Sequence, residues 1–214
     1  MIDFHTHTFF SDGELLPSEL VRRAEAIGYE AIGLTDHCDW SNIDFVVPHI
    51  VKVSRILNAH WKIKVIPGVE LTHVPLEEIE PLSRYAKEQG AKIVILHGET
   101  LSEPVLGGTN KKGIECGVNI IAHPGRISEE DAALARDKGV YLEITSRNGH
   151  SATNRHVVNV SRLTGAKLVI NTDAHKPIDL ITINTARSVL NDAGLNASEI
   201  EEVLSNSKKL LASL

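Results

Sequence analysis

The chain has 214 residues, of which 42% are hydrophobic and 23% charged, and its formal net charge is −6. This length and composition suit one ordinary globular domain, so we expect a single domain over residues 1–214. No apolar run reaches the roughly 20 residues that cross a bilayer, and no basic tract favours broad binding of nucleic acid. The N-terminal residues lack a secretory signal pattern, and the two cysteines, Cys38 and Cys116, favour a reducing compartment. We therefore expect a cytoplasmic protein without membrane or nucleic-acid partners.

Seven short apolar runs recur along the chain, and a polar residue follows most of them. They are rich in Ile, Val and Leu and mostly lack strict alternation, which is typical of strands buried on both faces of a parallel sheet. The predicted strands are residues 2–4, 31–34, 64–69, 92–96, 118–122, 140–144 and 167–170.

The stretches between these runs are predicted to be helical. Residues 17–27 place apolar side chains on one helical face and begin with Pro17, which suits a first helical turn. Ser128 precedes three acidic residues, as an N-cap does. Glycines mark the predicted helix ends at Gly28, Gly90, Gly117, Gly139, Gly165 and Gly194. Alternating strands and helices predict an α/β fold with a parallel sheet, and the periodicity leaves open whether that sheet closes into a barrel.

Residue types that bind metals fall at the ends of the predicted strands. They are His5, His7, His37, Glu70, His97, His123, Asp173 and His175. In parallel α/β folds the carboxyl ends of the strands form one face, which carries the active site. Six of the 11 histidines are therefore predicted to converge on that face.

The spacing of these residues also favours a metal site. Alternate residues of a strand project to the same side, so His5 and His7 point together, as do Asp173 and His175. Imidazole and carboxylate donors together suit Zn, Mn or Fe, and a carboxylate can bridge two ions. A single strand-end histidine is usually an ordinary hydrogen-bonded residue, but a set spread over several strand ends predicts a metal site.

Six motifs occur in order along the chain: HTHTFFSDG from residue 5, LTDH from 34, GVE from 68, LHGE from 96, AHPG from 122 and NTDAH from 171. Together they resemble the polymerase and histidinol phosphatase (PHP) domain family, and the resemblance spans essentially the whole chain. It implies a distorted seven-stranded β/α barrel of the TIM type. It also implies a trinuclear site that holds two to three divalent ions, zinc, manganese or iron.

The same resemblance implies how the ligands divide among the ions. The first ion would bind His5, His7, Glu70 and Asp173; the second would share Glu70 and add His97 and His123; the third would bind Asp12, His37 and His175. Aspartate at position 12 departs from the family members that carry histidine there. This departure gives the third site a harder set of ligands.

Resemblance and ligand chemistry together predict hydrolysis of a phosphate monoester of a small metabolite, with histidinol phosphate as the first candidate. Three divalent ions would outweigh the carboxylates around them and attract a phosphate dianion to an otherwise acidic protein. No residue beyond the metal ligands is predicted to be catalytic. The predicted nucleophile is a metal-activated hydroxide, because metal binding lowers the pKa of water to about 7.

Three residues are predicted to contact the substrate. Arg147 follows the sixth strand, and its guanidinium can bind phosphate bidentately, as can that of Arg126 after the AHPG motif. Glu99 would share a face with His97 if the fourth strand continued. Residues 100–112 are predicted to form a loop over the site. His73 and His150 also follow strands closely, and we do not include them among the site residues.

Three other functions compete with this prediction. A phosphodiesterase or nuclease fits the family, although the sequence offers neither a basic groove nor an aromatic stacking platform. An amidohydrolase also begins with an HxH motif on a β/α barrel, but it would carry its bridging residue later and a lone terminal aspartate. A non-catalytic metal-binding module would be expected to lack ligands, and every expected position here is filled.

Overall fold

Eight strands and eight helices follow one another along the chain in the computed structural model, which describes residues 1–214. The strands are β1 (Ile2–Asp3), β2 (Ala31–Leu34), β3 (His37–Cys38), β4 (Lys64–Leu71), β5 (Ile93–His97), β6 (Ile120–Ala122), β7 (Tyr141–Thr145) and β8 (Leu168–Asn171). The helices are α1 (Pro17–Ala26), α2 (Ile43–His60), α3 (Leu76–Glu88), α4 (Thr109–Cys116), α5 (Glu129–Lys138), α6 (Asn154–Thr164), α7 (Ile183–Asp192) and α8 (Ala197–Ser213). None of these helices combines the length and apolar character that crossing a membrane requires.

The sheet is parallel throughout and forms a nearly closed barrel. Hydrogen-bonded neighbours run in the order β1-β2-β4-β5-β6-β7-β8, and β3 pairs with β4. A backbone bridge between Thr6 and Ala174 joins the two edges just beyond β1 and β8. Asp3 adds a side-chain link, because its carboxylate accepts hydrogen bonds from the Thr172 backbone N–H and hydroxyl at 3.2 and 2.6 Å. The predicted distorted TIM-like barrel is confirmed.

All seven predicted strands are present, and most boundaries agree within two residues. The additional strand β3 has only two residues, and it places His37 directly beside Glu70 of β4. The predicted helix signals are also confirmed. Ser128 Oγ accepts a hydrogen bond from the Asp131 backbone N–H at the start of α5, and all six predicted helix-ending glycines have positive φ.

Apolar side chains pack in two layers, one on each side of the sheet. A cluster of 11 buried residues, which includes Phe4, Ile95 and Val169, fills the barrel interior. A larger cluster of 46 buried residues packs the outer face of the sheet against the helices. Because the strands are buried on both faces, their sequences need no polar positions, which explains their lack of alternation.

Replacing Phe4 with alanine should lower the free energy of unfolding by about 3–5 kcal/mol. Phe4 is fully buried in the barrel interior, so its loss removes apolar contacts and leaves a cavity that the surrounding strands fill poorly. Urea denaturation measures the change. Leu163→Ala serves as the control, since Leu163 is 70% exposed. An equally small effect in both variants would contradict the inner packing.

Candidate metal centre

The structure brings all nine predicted metal ligands together at the carboxyl ends of the strands. They are His5, His7 and Asp12 after β1, His37 in β3, Glu70 in β4, His97 at the end of β5, His123 after β6, and Asp173 and His175 after β8. Seven of them are buried. The side chains of Asp12 and His37, which are 58% and 26% exposed, lie at the rim. The division of these ligands among separate ions remains a prediction.

Glu70 and Asp173 face the same two imidazoles in the interior of the group. Glu70 Oε1 is 3.3 Å from His5 Nε2, and Glu70 Oε2 is 3.6 Å from His7 Nε2. Asp173 Oδ1 is 3.2 Å from His7 Nε2 and 3.6 Å from His5 Nε2. Two ligands bound at 2.0–2.2 Å to one tetrahedral ion lie roughly 3.4 Å apart. The observed separations therefore suit ligands that surround shared cations.

Several atoms of this group are shielded from solvent and make no hydrogen bond of acceptable geometry, although Glu70 Oε2 lies 2.7 Å from His37 Nδ1. They are His5 Nε2, both ring nitrogens of His7, both carboxylate oxygens of Glu70, His97 Nδ1, His123 Nδ1 and Asp173 Oδ1. Leaving one buried polar atom unpaired costs about 1–3 kcal/mol, so native proteins pair nearly all of them. The only other such side-chain atom in the chain is Ser54 Oγ. These nitrogen and oxygen atoms lie close together and can donate lone pairs to a metal, so the group is suited to bind divalent cations.

Burial and charge distribute protons unevenly over the metal-free group. Burial acts to lower the pKa of His5, but the carboxylates of Glu70 and Glu143 outweigh it and hold that pKa well above 6.5. Burial and neighbouring imidazoles hold the pKa of His7 well below 6.5. Burial opposes ionisation of Glu70, yet the charge of His5 keeps its pKa low. Burial raises the pKa of Asp173 to about 7, so cations that bind here must displace protons.

Glu143 of β7 orients two of the predicted ligands, and the sequence analysis did not identify it. Its Oε1 lies 2.8 Å from His5 Nδ1, and its Oε2 accepts a hydrogen bond from the His123 backbone N–H at 2.9 Å. Asn171 Nδ2 donates to Glu143 Oε1 at 2.8 Å. The carboxylate fixes the His5 ring so that Nε2 faces the centre. The only sequence signal was an acidic residue within an apolar strand.

Replacing Glu143 with glutamine should weaken metal binding about 10- to 100-fold. An amide is a poorer acceptor for His5 Nδ1–H than a carboxylate, so the ring loses its fixed tautomer and some of its basicity. A chelator competition titration measures the change, with Glu202→Gln on the exposed face of α8 as the control. Unchanged affinity in Glu143→Gln would show that His5 is oriented without it.

Asp12, His37 and His175 form a second group at the rim, which His7 joins to the inner ligands. Asp12 Oδ1 is 3.0 Å from His175 Nε2 and 3.6 Å from His37 Nε2. The rings of His7 and His175 stack with their centroids 4.1 Å apart. Because Asp12 is largely exposed, this group opens to solvent.

Asp36 shapes the loop that carries Asp12 and is not part of any ligand group. Its carboxylate accepts hydrogen bonds from the backbone N–H groups of Thr8 and Ser11 and from both of their hydroxyls. Asp36 thus holds the turn after β1 in place through four donors.

Arg147 lies at the edge of the centre. Its Nη1 donates to the Asp173 carbonyl at 3.0 Å, and its Nε lies 3.3 Å from Asp173 Oδ2. Nη1 is also 2.8 Å from His175 Nδ1. The side chain remains 31% exposed, so it can still meet a ligand from solvent. Arg126 is exposed and takes part in no hydrogen bond or ion pair within the chain.

Glu99 is placed differently from the arrangement that motivated its prediction. That prediction depended on the fourth strand continuing past His97, whereas β5 ends at His97. Glu99 Oε1 instead accepts hydrogen bonds from the backbone N–H groups of Gly108 and Asn110 at 3.0 and 2.9 Å. The carboxylate therefore caps the start of α4. This helix begins at Thr109, so the prediction of a loop over residues 100–112 is wrong for residues 109–112.

Two further features near the centre were not predicted. Glu103, on the loop between β5 and α4, lies 3.3 Å from His97 Nε2, and this contact lowers the pKa of Glu103 to about 2. Three phenylalanines cluster beside the loop that carries Asp12. The rings of Phe9 and Phe10 stack at 4.5 Å, and Phe45 contacts Phe10 edge-on at 5.6 Å. Phe9 and Phe45 are about half exposed, so the rim carries an aromatic surface.

Comparison with known proteins identifies the family. The PHP domain model matches residues 3–100, which hold the first six predicted ligands. An uncharacterized protein of Methanocaldococcus jannaschii is 47% identical over 204 residues, which cover 94% of each chain. The DNA polymerase/3′-5′ exonuclease PolX of Bacillus subtilis is 25% identical over 197 residues, 81% of this chain but 34% of PolX.

Solved structures share the fold at low sequence identity. A chain in the cryo-EM structure of archaeal ribonuclease P with mature tRNA superimposes with a TM-score of 0.75, at 17% identity, over 100% of this chain and 90% of that one. A histidinol phosphatase candidate from Listeria monocytogenes gives a TM-score of 0.61, at 11% identity, over 86% and 99% of the two chains. The motifs and the barrel are consistent with the match to the family model and with the relative at 47% identity. The chain belongs to the PHP domain family.

Proposed function

We propose that this protein hydrolyses the phosphate monoester of a small metabolite with the help of divalent metal ions. The observation that carries this proposal is the set of buried, unpaired nitrogen and oxygen atoms of His5, His7, Glu70 and Asp173. Membership of the PHP family supports a metal-dependent phosphoesterase in general. The monoester and the small substrate are the specific parts of our proposal.

Three groups of ligands would hold the ions. The inner positions would use His5, His7, Glu70 and Asp173 together with His97 and His123, and the rim position would use Asp12, His37 and His175. Bound divalent ions would supply an activated water and neutralise charge on phosphate oxygens. Zinc, manganese and iron all accept this mixture of imidazole and carboxylate donors.

Arg147 would draw the phosphate to the centre and orient it. Its guanidinium is held beside Asp173 and His175 by the contacts described above, so its position is defined before a substrate arrives. A cavity of about 380 Å³ adjoins it, lined in part by Lys176 and Asp179. None of the nine predicted ligands lines this cavity, and Asp179 and Glu14 lie beside Arg147 and Lys176 at 3.8 and 3.3 Å, so the contacts of Arg147 with Asp173 and His175 are what support its role.

The charge of the chain supports a small substrate over a polymer. The net charge is −6, and the sequence contains no basic tract that could follow a nucleic-acid backbone. Histidinol phosphate is our first candidate, consistent with the name of the Listeria protein of similar fold.

A phosphodiester substrate is the second candidate, and the aromatic surface at the rim favours it. Phe9, three residues before Asp12 in the chain, and Phe45 expose about half of their surface, and exposed aromatic rings can stack on nucleobases. PolX, which is named as an exonuclease, is a relative at 25% identity. The aromatic surface is therefore a place where a nucleotide could bind next to the centre.

Hydrolysis of p-nitrophenyl phosphate and of its bis-ester separates the two candidates. With Mn²⁺ or Zn²⁺ present, we expect chelator-sensitive hydrolysis of the monoester at the higher rate, followed by turnover in a screen of phosphorylated metabolites. Hydrolysis of the bis-ester alone would replace the monoester proposal with the phosphodiester one. If the metal-loaded protein hydrolysed neither ester, the result would count against both the monoesterase and the diesterase function.

Metal affinity should fall as the pH drops below 7. Burial raises the pKa of Asp173 to about 7, and the carboxylates around His5 keep its pKa above 6.5 despite burial. At a pH below the pKa of a ligand, the metal must displace a proton from it. Each such proton lowers the apparent metal affinity about tenfold for each unit by which the pH falls. Calorimetric titrations at pH 8 and pH 6 measure this change. Equal affinities at both values would contradict the assignment of these residues as ligands.

A further inference from the structure

A carboxylate on the loop between β5 and α4 meets three histidines at the mouth of the centre. Glu103 Oε2 lies 3.1 Å from His73 Nε2 and 3.3 Å from His97 Nε2, and Glu103 Oε1 lies 3.5 Å from His150 Nε2. His97 also belongs to the inner ligands described above, whereas the other three residues do not. A further group of side chains that can bind metals, separate from the rim group, thus adjoins the centre on its solvent side.

The backbone at His73 resembles that of two predicted ligands. The non-glycine residues with positive φ are His73 at 51°, His123 at 26° and Asp173 at 53°. This conformation costs of order 1–3 kcal/mol and persists where the surrounding structure holds a side chain for a task. His123 and Asp173 both belong to inner ligand groups. The chain uses the same costly conformation to direct His73 toward Glu103.

We propose that His73, His97 and Glu103 form an outer position for a divalent cation. Their ligand atoms all lie within 4.8 Å of one another. The two separations from Glu103 Oε2 are close to the roughly 3.4 Å expected between ligands of one tetrahedral ion. Two imidazoles and one carboxylate are a donor set that zinc sites use, with water at the fourth position.

His150 holds the carboxylate of Glu103 in the orientation that this position needs. The His150 ring stacks on His123 with the centroids 4.3 Å apart, and its Nδ1 lies 2.8 Å from Thr100 Oγ1. These two contacts fix the ring, so that its Nε2 faces the second oxygen of Glu103. Such support of a ligand by a neighbouring side chain is usual in metal sites.

His97 serves both the outer and the inner position, so the two compete for it. A neutral imidazole carries a proton on one ring nitrogen and a free lone pair only on the other, so His97 binds one ion at a time. The side chains of His73 and Glu103 are 43% and 36% exposed, whereas those of His97 and His123 are 3% and 1% exposed. A cation that arrives from solvent on this side therefore meets His73 and Glu103 before it reaches His97 and His123. The outer position is a loading site from which an ion passes through His97 to the inner ligands.

The first test uses the full chain with His123→Ala, which removes an inner ligand and keeps His73, His97 and Glu103. The variant also removes the ring on which His150 stacks, but His150 keeps its contact with Thr100 Oγ1, and every protein compared below carries the same change. Zn²⁺ binding is measured by calorimetry in this variant and in the same variant with Glu103→Gln or His73→Gln added. The matched control adds His49→Gln, because His49 is a surface histidine outside all ligand groups. Circular dichroism checks that each variant is folded.

We expect the two outer-ligand variants to bind one Zn²⁺ fewer than His123→Ala and than the His49 control. Anomalous diffraction of His123→Ala crystals should place that ion between His73, His97 and Glu103. Equal stoichiometry in all four proteins would overturn the outer position. The inference rests on the proposed centre only through His97: a wild-type chain that binds no metal would defeat the proposed function, whereas equal stoichiometry in metal-binding variants would defeat the outer position alone.

A second test follows loading and needs no inner substitution. Metal-free wild type and Glu103→Gln are mixed with Zn²⁺, and uptake is timed with a chromophoric chelator. We expect uptake by Glu103→Gln to be about tenfold slower, with a final inner metal content equal to that of wild type. Equal rates of uptake would overturn the loading role.

Discussion

Replacing Glu70 with glutamine should lower kcat/KM for a phosphate monoester roughly 10³-fold or more. Glu70 is fully buried, and its carboxylate faces the imidazoles of His5, His7 and His37, with Oε2 2.7 Å from His37 Nδ1. Glutamine keeps the size of the side chain but removes its charge and one oxygen donor. Loss of about 4 kcal/mol of charge stabilisation corresponds to three powers of ten in rate.

Metal content and kcat/KM should be measured on the same preparations of this variant. We expect less bound metal in Glu70→Gln, because a neutral amide group is a weaker ligand for divalent cations than a carboxylate. Glu115→Gln is the matched control, since Glu115 is exposed on α4 and lies outside the ligand groups. Wild-type metal content together with wild-type activity in Glu70→Gln would remove Glu70 from the centre.

Replacing Gly125 with alanine should lower the free energy of unfolding by about 2–5 kcal/mol. Gly125 has φ of +64°, and an added Cβ would lie 1.7 Å from the Glu99 carbonyl oxygen and 2.6 Å from its carbon. The left-handed conformation costs about 1–2 kcal/mol for alanine, and the clash with backbone adds overpacking strain. The total is a large part of the 5–15 kcal/mol that typically stabilises a domain.

Gly139→Ala separates the two contributions to this cost. Gly139 has φ of +71°, yet an added Cβ there would meet no atom within 4 Å. Alanine should therefore cost only about 1–2 kcal/mol at Gly139, all of it conformational. Urea denaturation of both variants gives the comparison. Equal losses would mean that the loop after His123 moves away from Glu99 without cost.

Local patterns predicted the strands and eight of the nine candidate ligands, whereas the closed barrel and the ligand Asp12 were implied by the family resemblance. Strands buried on two faces are apolar runs, so seven of them could be located without contacts from elsewhere. Residues that follow parallel strands meet at one face of the sheet, so positions such as His5, Glu70 and Asp173 could be grouped from their place in the chain.

The contacts that tune the site depend on residues far apart in sequence. Glu143 orients His5 across 138 positions of the chain, and no local pattern connects them. Strand β3 has two residues, too few to form a recognisable run. Glu103 lies in an irregular loop, whose path depends on the cap that Glu99 provides to α4. The sequence prediction extended the fourth strand past His97, and it therefore assigned Glu99 an orientation that differs from the observed one.

Metal content tests the central claim most directly. The purified chain should be analysed for metals as isolated, after chelation, and after supplementation with Mn²⁺ or Zn²⁺ followed by removal of unbound ions. We expect two to three divalent ions per chain at the inner and rim positions in the supplemented protein, and their loss after chelation. A folded chain that retains no metal after supplementation would contradict the account, because the buried atoms of His7, Glu70 and Asp173 would then need another explanation.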